Sequence, residues 1–230
     1  MNRLASLALA SLVLPLHALA QVPLAGPMPV AADVVVTAEA VPQETSALGV
    51  AVTVVDRAAI ERSHAATVAE LLRSVPGVDV AQSGGPGGVT SLFLRGANSN
   101  SALVLVDGVK VNSPYFGGVD LSSLSTANVE RIEIVRGPFS ALWGSEALGG
   151  VVQVVTRRTG VSDGLSGGAR LAAGNASARE GGVHASYRDG AVGLTAGFQR
   201  TTVGGDLPNE FFAGTGLSAA LDVQVAPDVK

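Results

Sequence analysis

At 230 residues the chain has room for one or two domains with their own cores. Its formal net charge of −4 gives no support to a nucleic-acid partner. The absence of cysteine excludes disulfide frameworks, thiolate zinc sites and cysteine nucleophiles, and 29 glycines beside 4% aromatic residues favour turns and β-structure over long helices.

The first twenty residues, MNRLASLALASLVLPLHALA, carry a basic start at Arg3, an apolar run from Leu4 to Leu16, and Ala18-Leu19-Ala20 before Gln21. This is the plan of a secretory signal over residues 1–20. The apolar run is shorter than the roughly 20 residues of a spanning helix, and Pro15 interrupts it, which argues against a retained anchor. Residues 21–48 read as a leader. Gln21 to Ala32 holds three prolines and no charge, the composition of an extended segment. Asp33 to Ala38, DVVVTA, is β-prone; by pattern it is either an edge strand of the following domain or a peptide that another protein pairs with by strand addition.

Val50 to Val55 predicts a strand, and Asp56 can cap a short helix through Ser63. Thr67 and Glu70 form a capping box, followed by Val68, Leu71, Leu72 and Val75 at helical spacing; Pro76-Gly77 stops the helix. Gln82 to Ser91 groups four glycines around Pro86, without the lysine or following helix a phosphate loop needs, and predicts a mobile loop between strands. Ser91 to Leu94 predicts a strand ending at Arg95-Gly96. Leu103 to Asn112 predicts a hairpin turned at Asp107-Gly108, the pair that suits a type I′ turn. Ser113 to Leu121 forms a second loop, with Tyr115 and Phe116. Ile132 and Ile134 alternate with Arg131 and Glu133, as in a strand with one buried face, whereas Val151 to Val155 is apolar on both faces except Gln153 and predicts a central strand.

Beyond Gly160, four segments of about ten residues alternate small or polar residues with apolar ones. That is the weak per-strand signature of an outer-membrane barrel, which ordinary antiparallel hairpins share. Catalytic chemistry is absent from the pattern. His17 lies in the signal, His64 and His184 stand apart, and no metal-ligand spacing occurs. Gly164 to Gly168 matches G-x-S-x-G but lacks the strand-turn-helix context of a nucleophile elbow. The sequence predicts no enzyme.

Four stretches stand in order from Asp33 to Thr159: DVVVTA, ELLRSVPGVDV, FLRGANSNSALVLVDGVKVN and VERIEIVRGPFSALWGSEALGGVVQVVT. Together they resemble the plug domain of TonB-dependent outer-membrane receptors. GVDVAQSGGPGG, SLFLRGANSNS, VLVDGVKVN, VDLSSL and SEALGGVV resemble the cobalamin-receptor subfamily in particular. The resemblance implies an α+β fold: a small mixed-sheet plug domain at 49–159, then the first few antiparallel strands of an outer-membrane β-barrel at 160–230. In the family the plug fills the lumen of a 22-stranded barrel, blocks the pore and offers loops to the ligand. Force from the periplasm then remodels it.

Residue by residue, Ala32, Asp33, Val34, Val35, Val36, Thr37, Ala38 and Glu39 match the TonB box. The implied partner is TonB, with its inner-membrane energising complex, acting by β-augmentation. Val89, Ser91, Asn98, Phe116 and Gly117 match ligand contacts, and Arg95 and Arg136 match arginines that pair with barrel glutamates. No cofactor or metal is expected: the receptor's calcium loops find only Asp206 here, without an acidic cluster around it. The implied function is the N-terminal part of an active transporter in the cell outer membrane, its plug gating uptake of cobalamin. The alternatives are a ferric-siderophore or other metal-chelate receptor of the same architecture, and a soluble periplasmic plug-like binding module. Residues 160–230 hold about four strands, where a closed barrel needs at least eight, so the sequence is expected to be the first part of a longer receptor.

Overall fold

The computed structural model describes residues 35–36, 43–44, 51–159, 163–175, 177–205 and 210–223. The predicted signal and most of the leader lie outside these residues. In the leader, β1 (Val35–Val36) pairs antiparallel with β2 (Gln43–Glu44), with Val35 opposite Glu44. Among the described residues this two-stranded sheet joins no strand of the domain that follows, so Val35 and Val36 do not extend that domain's sheet.

Local signals set the next elements. β3 (Ala51–Val55) leads to α1 (Arg57–Ser63), whose N-terminus is closed by Asp56 Oδ1 accepting the Ala59 N–H at 2.7 Å. In α2 (Val68–Leu72) Thr67 Oγ1 accepts from Glu70 N at 3.2 Å, and Glu70 Oε2 reaches back to the Ala66 N–H at 2.8 Å. Such caps supply partners for the otherwise unsatisfied N–H groups of the first turn. The regular helix ends at Leu72, short of the predicted Pro76. Ser74 and Val75 bond three residues back, to Leu71 and Leu72, because proline disfavours a helical residue before it.

β4 (Val78–Gln82) and β5 (Thr90–Leu94) form an antiparallel pair around the glycine loop. β4 runs through Gln82 and β5 begins at Thr90, so the loop is shorter than predicted. The bonds from Ser83 N to Val89 O and Gly88 N to Gly85 O, each 2.9 Å, close it. β6 (Ala102–Val106) turns into β7 (Val109–Lys110) at Asp107 and Gly108, with φ of 49° and 81°, the two positive values of a type I′ turn. β8 (Val129–Arg136) is followed by α3 (Ser140–Trp143), and then by β9 (Gly150–Thr156).

The five-stranded sheet runs β3-β8-β9-β6-β7, with β6 and β9 parallel and the other pairs antiparallel. It is a mixed sheet, and β9 is central in it. Ile60, Leu71 and Leu72 cover one face, against Ile132, Ile134, Val152 and Val154. Burying each such side chain stabilises the fold by about 1.5–3 kcal/mol. Leu103, Leu105, Val135 and Val151 on the other face pack with Ala147, Phe139 and Trp143.

The expectation of one buried face on β8 is therefore corrected. Glu133 is fully buried, and its Oε1 accepts from Arg131 Nε at 2.8 Å. Alternation of charge was the misleading cue. The segment after β8 folds back over the second face, and a local ion pair carries the buried carboxylate.

The chain then forms a second sheet. β10 (Gly164–Ala173), β11 (Arg179–Asp189), β12 (Val192–Gly204) and β13 (Phe211–Val223) pair antiparallel in sequence order. Gly164 to Gly168 opens β10 as an extended strand, with no elbow for a nucleophile.

Candidate functional site

The second sheet is two-faced, and its register shows how. Ala169, Val183, Phe198 and Leu217 stand opposite one another across the four strands, as do Leu165, Tyr187, Leu194 and Leu221. These rows are exposed, Leu217 to 82%. Ser166, Ser186, Thr195 and Ala220 form a row on the other face, as do Gly168, His184, Gly197 and Ser218. Apolar outside and polar inside, on strands of 10 to 13 residues, is the arrangement of a membrane-spanning barrel wall. No helix among the described residues is long and apolar enough to cross a membrane.

The first domain docks on the polar face through charged groups. Arg157, just after β9, places Nη1 2.6 Å from His184 Nε2 and Nη2 3.3 Å from Glu61 Oε1. Glu61 also accepts from Arg57 Nε at 2.8 Å, and Arg57 Nη1 donates to the carbonyls of Thr126 and Val129. The Arg57 hydrogen bond is the main reason that the Glu61 carboxyl is held below its ordinary range. Partial burial opposes it, and the charges of Arg57, Arg157 and Arg170 add to it. Burial and the nearby Arg57 push the Arg157 guanidinium down, partly offset by Glu130 and Glu61. Further along, Arg158 Nη1 lies 3.2 Å from Asp222 Oδ1, and Thr159 Oγ1 donates to Asp222 Oδ2 at 3.0 Å. Between domain and wall lies a cavity of about 440 Å³. Sequence reading missed Glu61, Arg157, His184 and Asp222. The bonds that tie them across the seam join residues 27 to 96 apart in the chain, and no local pattern links those pairs.

The five predicted ligand residues fall into two groups. Asn98 precedes the 3₁₀ turn Ser99–Ser101, and Gly117, at φ 73°, sits so close that a Cβ would lie 3.1 Å from Asn100 Cβ. Buried Asn112 fastens this loop: its Oδ1 accepts from Val104 N, and its Nδ2 donates to the carbonyls of Ala102 and Gly117. The loop presents Phe116 at 62% exposure and Tyr115 at 97%. Val89 and Ser91 lie instead at the opposite end of β5. The second loop reaches them there, through Thr90 N to Asp120 Oδ1 at 2.9 Å and Leu121 N to Thr90 O at 2.9 Å. Burial raises the Asp120 carboxyl, but the N–H bonds from Thr90 and Ser122 prevail and hold it below the usual carboxylate range.

Arg95, at φ 51°, and Arg136 are neighbours. Arg136 Nη2 donates to Thr53 Oγ1 at 2.8 Å, while its buried Nε has no hydrogen-bond partner. Burial first, and then the Arg95 charge, pull the Arg136 guanidinium down. Neither arginine meets a carboxylate among the described residues. Of the predicted box at residues 32–39, the backbone of Val35 and Val36 is described and the rest lies outside. Asp206 also lies outside, and among the described residues no three His, Asp or Glu side chains gather as metal ligands.

Residues 44–151 match the family model of the TonB-dependent Receptor Plug Domain. The vitamin B12 transporter BtuB of Vibrio vulnificus strain YJ016 is 45% identical over 123 residues, which cover 54% of this chain and 20% of that protein. Its counterpart in strain CMCP6 is 37% identical over 171 residues, 73% of this chain and 28% of that protein. The chain therefore spans between a fifth and three tenths of the length of these curated relatives. Among solved structures, the ferripyoverdine receptor of the outer membrane of Pseudomonas aeruginosa superposes with a TM-score of 0.71 at 17% identity, covering 84% of this chain and 25% of that one. The siderophore receptor PiuA of Acinetobacter baumannii gives 0.65 at 21% identity, covering 85% and 26%. The siderophore receptor PirA of Pseudomonas aeruginosa gives 0.61 at 27% identity, covering 77% and 31%. Residues 44–151 thus carry the plug domain of the TonB-dependent receptors, and four antiparallel strands arranged as at the start of such a receptor's β-barrel follow it.

Proposed function

We propose that the chain is the plug end of a TonB-dependent active transporter in the outer membrane, and that its plug gates the uptake of cobalamin. One observation carries this reading: the 45% identity to a vitamin B12 transporter. The siderophore receptors resemble the chain at lower identity, from 17% to 27%. A ferric-siderophore or similar chelate is the second reading. It is favoured by Tyr115 and Phe116, two exposed aromatic rings on a fastened loop, which suit a flat aromatic ligand. The apolar outer face of β10–β13 disfavours a soluble periplasmic module, since water is a poor solvent for rows such as Phe198 and Leu217.

In this reading residues 1–20 direct export, residues 49–159 form the plug, and Ala32 to Glu39 are the TonB box. Among the described residues β1 is paired on one side only, which leaves it an edge for strand addition by TonB. Val89, Ser91, Asn98, Phe116 and Gly117 contact ligand. Arg95 and Arg136 are two adjacent cations that meet no carboxylate among the described residues, and they suit a glutamate on a wall strand. Growth on cobalamin and on iron chelates, before and after deletion of the native locus, tests the substrate. Loss of growth on cobalamin alone supports the first reading, and loss on a chelate alone supports the second. Val35→Pro removes a backbone donor from the box, so energised uptake is expected to vanish while surface binding persists. Uptake at the parental rate refutes the box.

A further inference from the structure

The outer face of the wall carries a charge pattern that contact with lipid tails does not require. Apolar, aromatic or small residues fill its rows from Leu165–Tyr187–Leu194–Leu221 to Ala169–Val183–Phe198–Leu217. The next two outward rows are Leu171–Gly181–Arg200–Thr215 and Ala173–Arg179–Thr202–Ala213. Arg179 and Arg200 are both exposed there. Among the outward positions of the described strands the remaining charge is Asp189, at the opposite end of the wall.

The strand connections say which end is which. Residues 190–191 join β11 to β12 at the Asp189 end, whereas residues 174–178 and 205–210 join strands at the arginine end. Outer-membrane barrels have short turns on the periplasmic side and longer loops outside. The two arginines therefore stand at the outer end.

A cation beside lipid is costly unless an anion or water receives it. Among the described residues no carboxylate does so. Glu180, the neighbour of Arg179 in sequence, faces inward, and its Oε1 lies 3.7 Å from Arg170 Nε. Arg200 Nη1 donates to a neutral partner, Thr215 Oγ1, at 3.2 Å. Arg179 stands opposite Thr202 and Arg200 opposite Gly181, which makes the arginines diagonal neighbours with Cβ atoms roughly 7 Å apart. Two like charges at that spacing repel, and a single anion between them draws on both.

Gly181 leaves the backbone between the two positions bare. Its φ is not positive, and an added Cβ would meet Leu171 Cδ2 at 3.4 Å, an ordinary contact. Neither conformation nor crowding demands a glycine there. The bare strand is bordered by Leu171, 89% exposed, and the apolar row of Phe198 and Leu217 lies next along the wall. A cationic pair above an apolar surface matches the two halves of a lipid.

We infer that Arg179 and Arg200 hold the phosphate of a lipid headgroup in the outer leaflet, whose acyl chains lie along Leu171, Phe198 and Leu217. The inference rests on β10–β13 being the wall of an outer-membrane barrel. A phosphate monoester suits the pair better than a zwitterionic headgroup. It brings no ammonium to compete with the guanidinium groups and offers three oxygens to two forked donors. Thr215, whose oxygen accepts from Arg200, keeps its hydroxyl hydrogen for the same phosphate.

The test reads the site itself. The receptor is expressed from its native locus with Leu171→p-benzoylphenylalanine, purified from outer membranes in neutral detergent, and stripped of lipid. It is then irradiated with increasing diphosphoryl lipid A or, separately, phosphatidylethanolamine, and the adduct is counted by mass. Lipid A is expected to label at low concentration, and Arg179→Gln/Arg200→Gln to raise its half-saturating concentration at least tenfold. Arg179→Lys/Arg200→Lys keeps the charges and should retain most of the labelling, which separates loss of the anion site from a disturbed strand. Heat-dependent gel mobility checks that each variant forms its barrel. Equal curves for parent and Gln variant overturn the site, as does labelling by phosphatidylethanolamine at the same concentrations as lipid A. Absence of the parent from the outer-membrane fraction would instead remove the barrel-wall reading on which the site depends.

Discussion

The plug sheet and the wall sheet are built on the same two-residue alternation, in opposite surroundings. In the plug, β8 and β9 bury both faces: Ile132 and Ile134 under α1 and α2, Val135 and Val151 under Phe139 and Trp143. In the wall, Leu194, Phe198 and Leu217 point away from every other element, while Thr195, Gln199 and Ser218 point towards the plug. An apolar side chain in the plug is covered by the chain itself. An apolar side chain on the wall has no such cover, and a lipid phase suits it where water does not.

Substitutions can sharpen this contrast or break it. Ile134→Ala is expected to cost about 2–5 kcal/mol of plug stability, because it leaves a cavity in a packed core. The measurement is the unfolding midpoint of the purified protein in detergent, compared with Leu217→Ala. Leu217 is 82% exposed and has little packing to lose, and equal losses for the two would erase the distinction. Phe198→Arg should cost about 2–4 kcal/mol of membrane stability if this row lies near the bilayer midplane. The same charge at Gln199, one residue along and facing inward, should cost much less. Heat-dependent gel mobility of membrane extracts reads both. A smaller change lies within the plug: Thr67→Ala removes the α2 cap and should lower the same unfolding midpoint by the equivalent of about 1 kcal/mol.

What could be read in advance was local. Asp56, Thr67 and Asp107-Gly108 act through neighbours two to four residues away, and each adopts the conformation its motif prescribes. The succession of strands along the chain and the two-loop character of the plug follow from turn residues in the same way, whereas the order β3-β8-β9-β6-β7 within the sheet does not. Glu133 shows the limit of such reading. Its charge marks a solvent-facing position by alternation alone, yet the chain from Phe139 to Ala147 returns to cover that face. The seam was illegible for a related reason. Arg157 is one of two arginines after a strand, and His184 is one polar residue in an alternating run. Only the packing of plug on wall brings them to 2.6 Å. For the ligand residues the sequence named two loops, whereas the structure sets Gly117 against Asn100, two residues after Asn98, and puts Val89 and Ser91 at the far end of β5.

The smallest expected effect concerns the end of the plug loop, where a charge rather than packing holds the chain. Asp120 Oδ1 accepts from Thr90 N at 2.9 Å and Ser122 N at 3.0 Å, and its carboxyl is held below the usual range. A carboxyl depressed in the folded state stabilises the fold above the ordinary carboxylate pKa of the unfolded chain. That contribution is lost as pH falls through the depressed folded value. Stability of the plug should therefore decline on acidification through and below the ordinary carboxylate range. Asp120→Asn keeps an acceptor at the same position without the charge, so both N–H groups retain a partner. Its unfolding midpoint should be somewhat lower than the parent's at neutral pH, and the two should converge in acid. Parallel pH profiles would mean that hydrogen-bond geometry alone, and not the carboxylate charge, ties the second loop to β5.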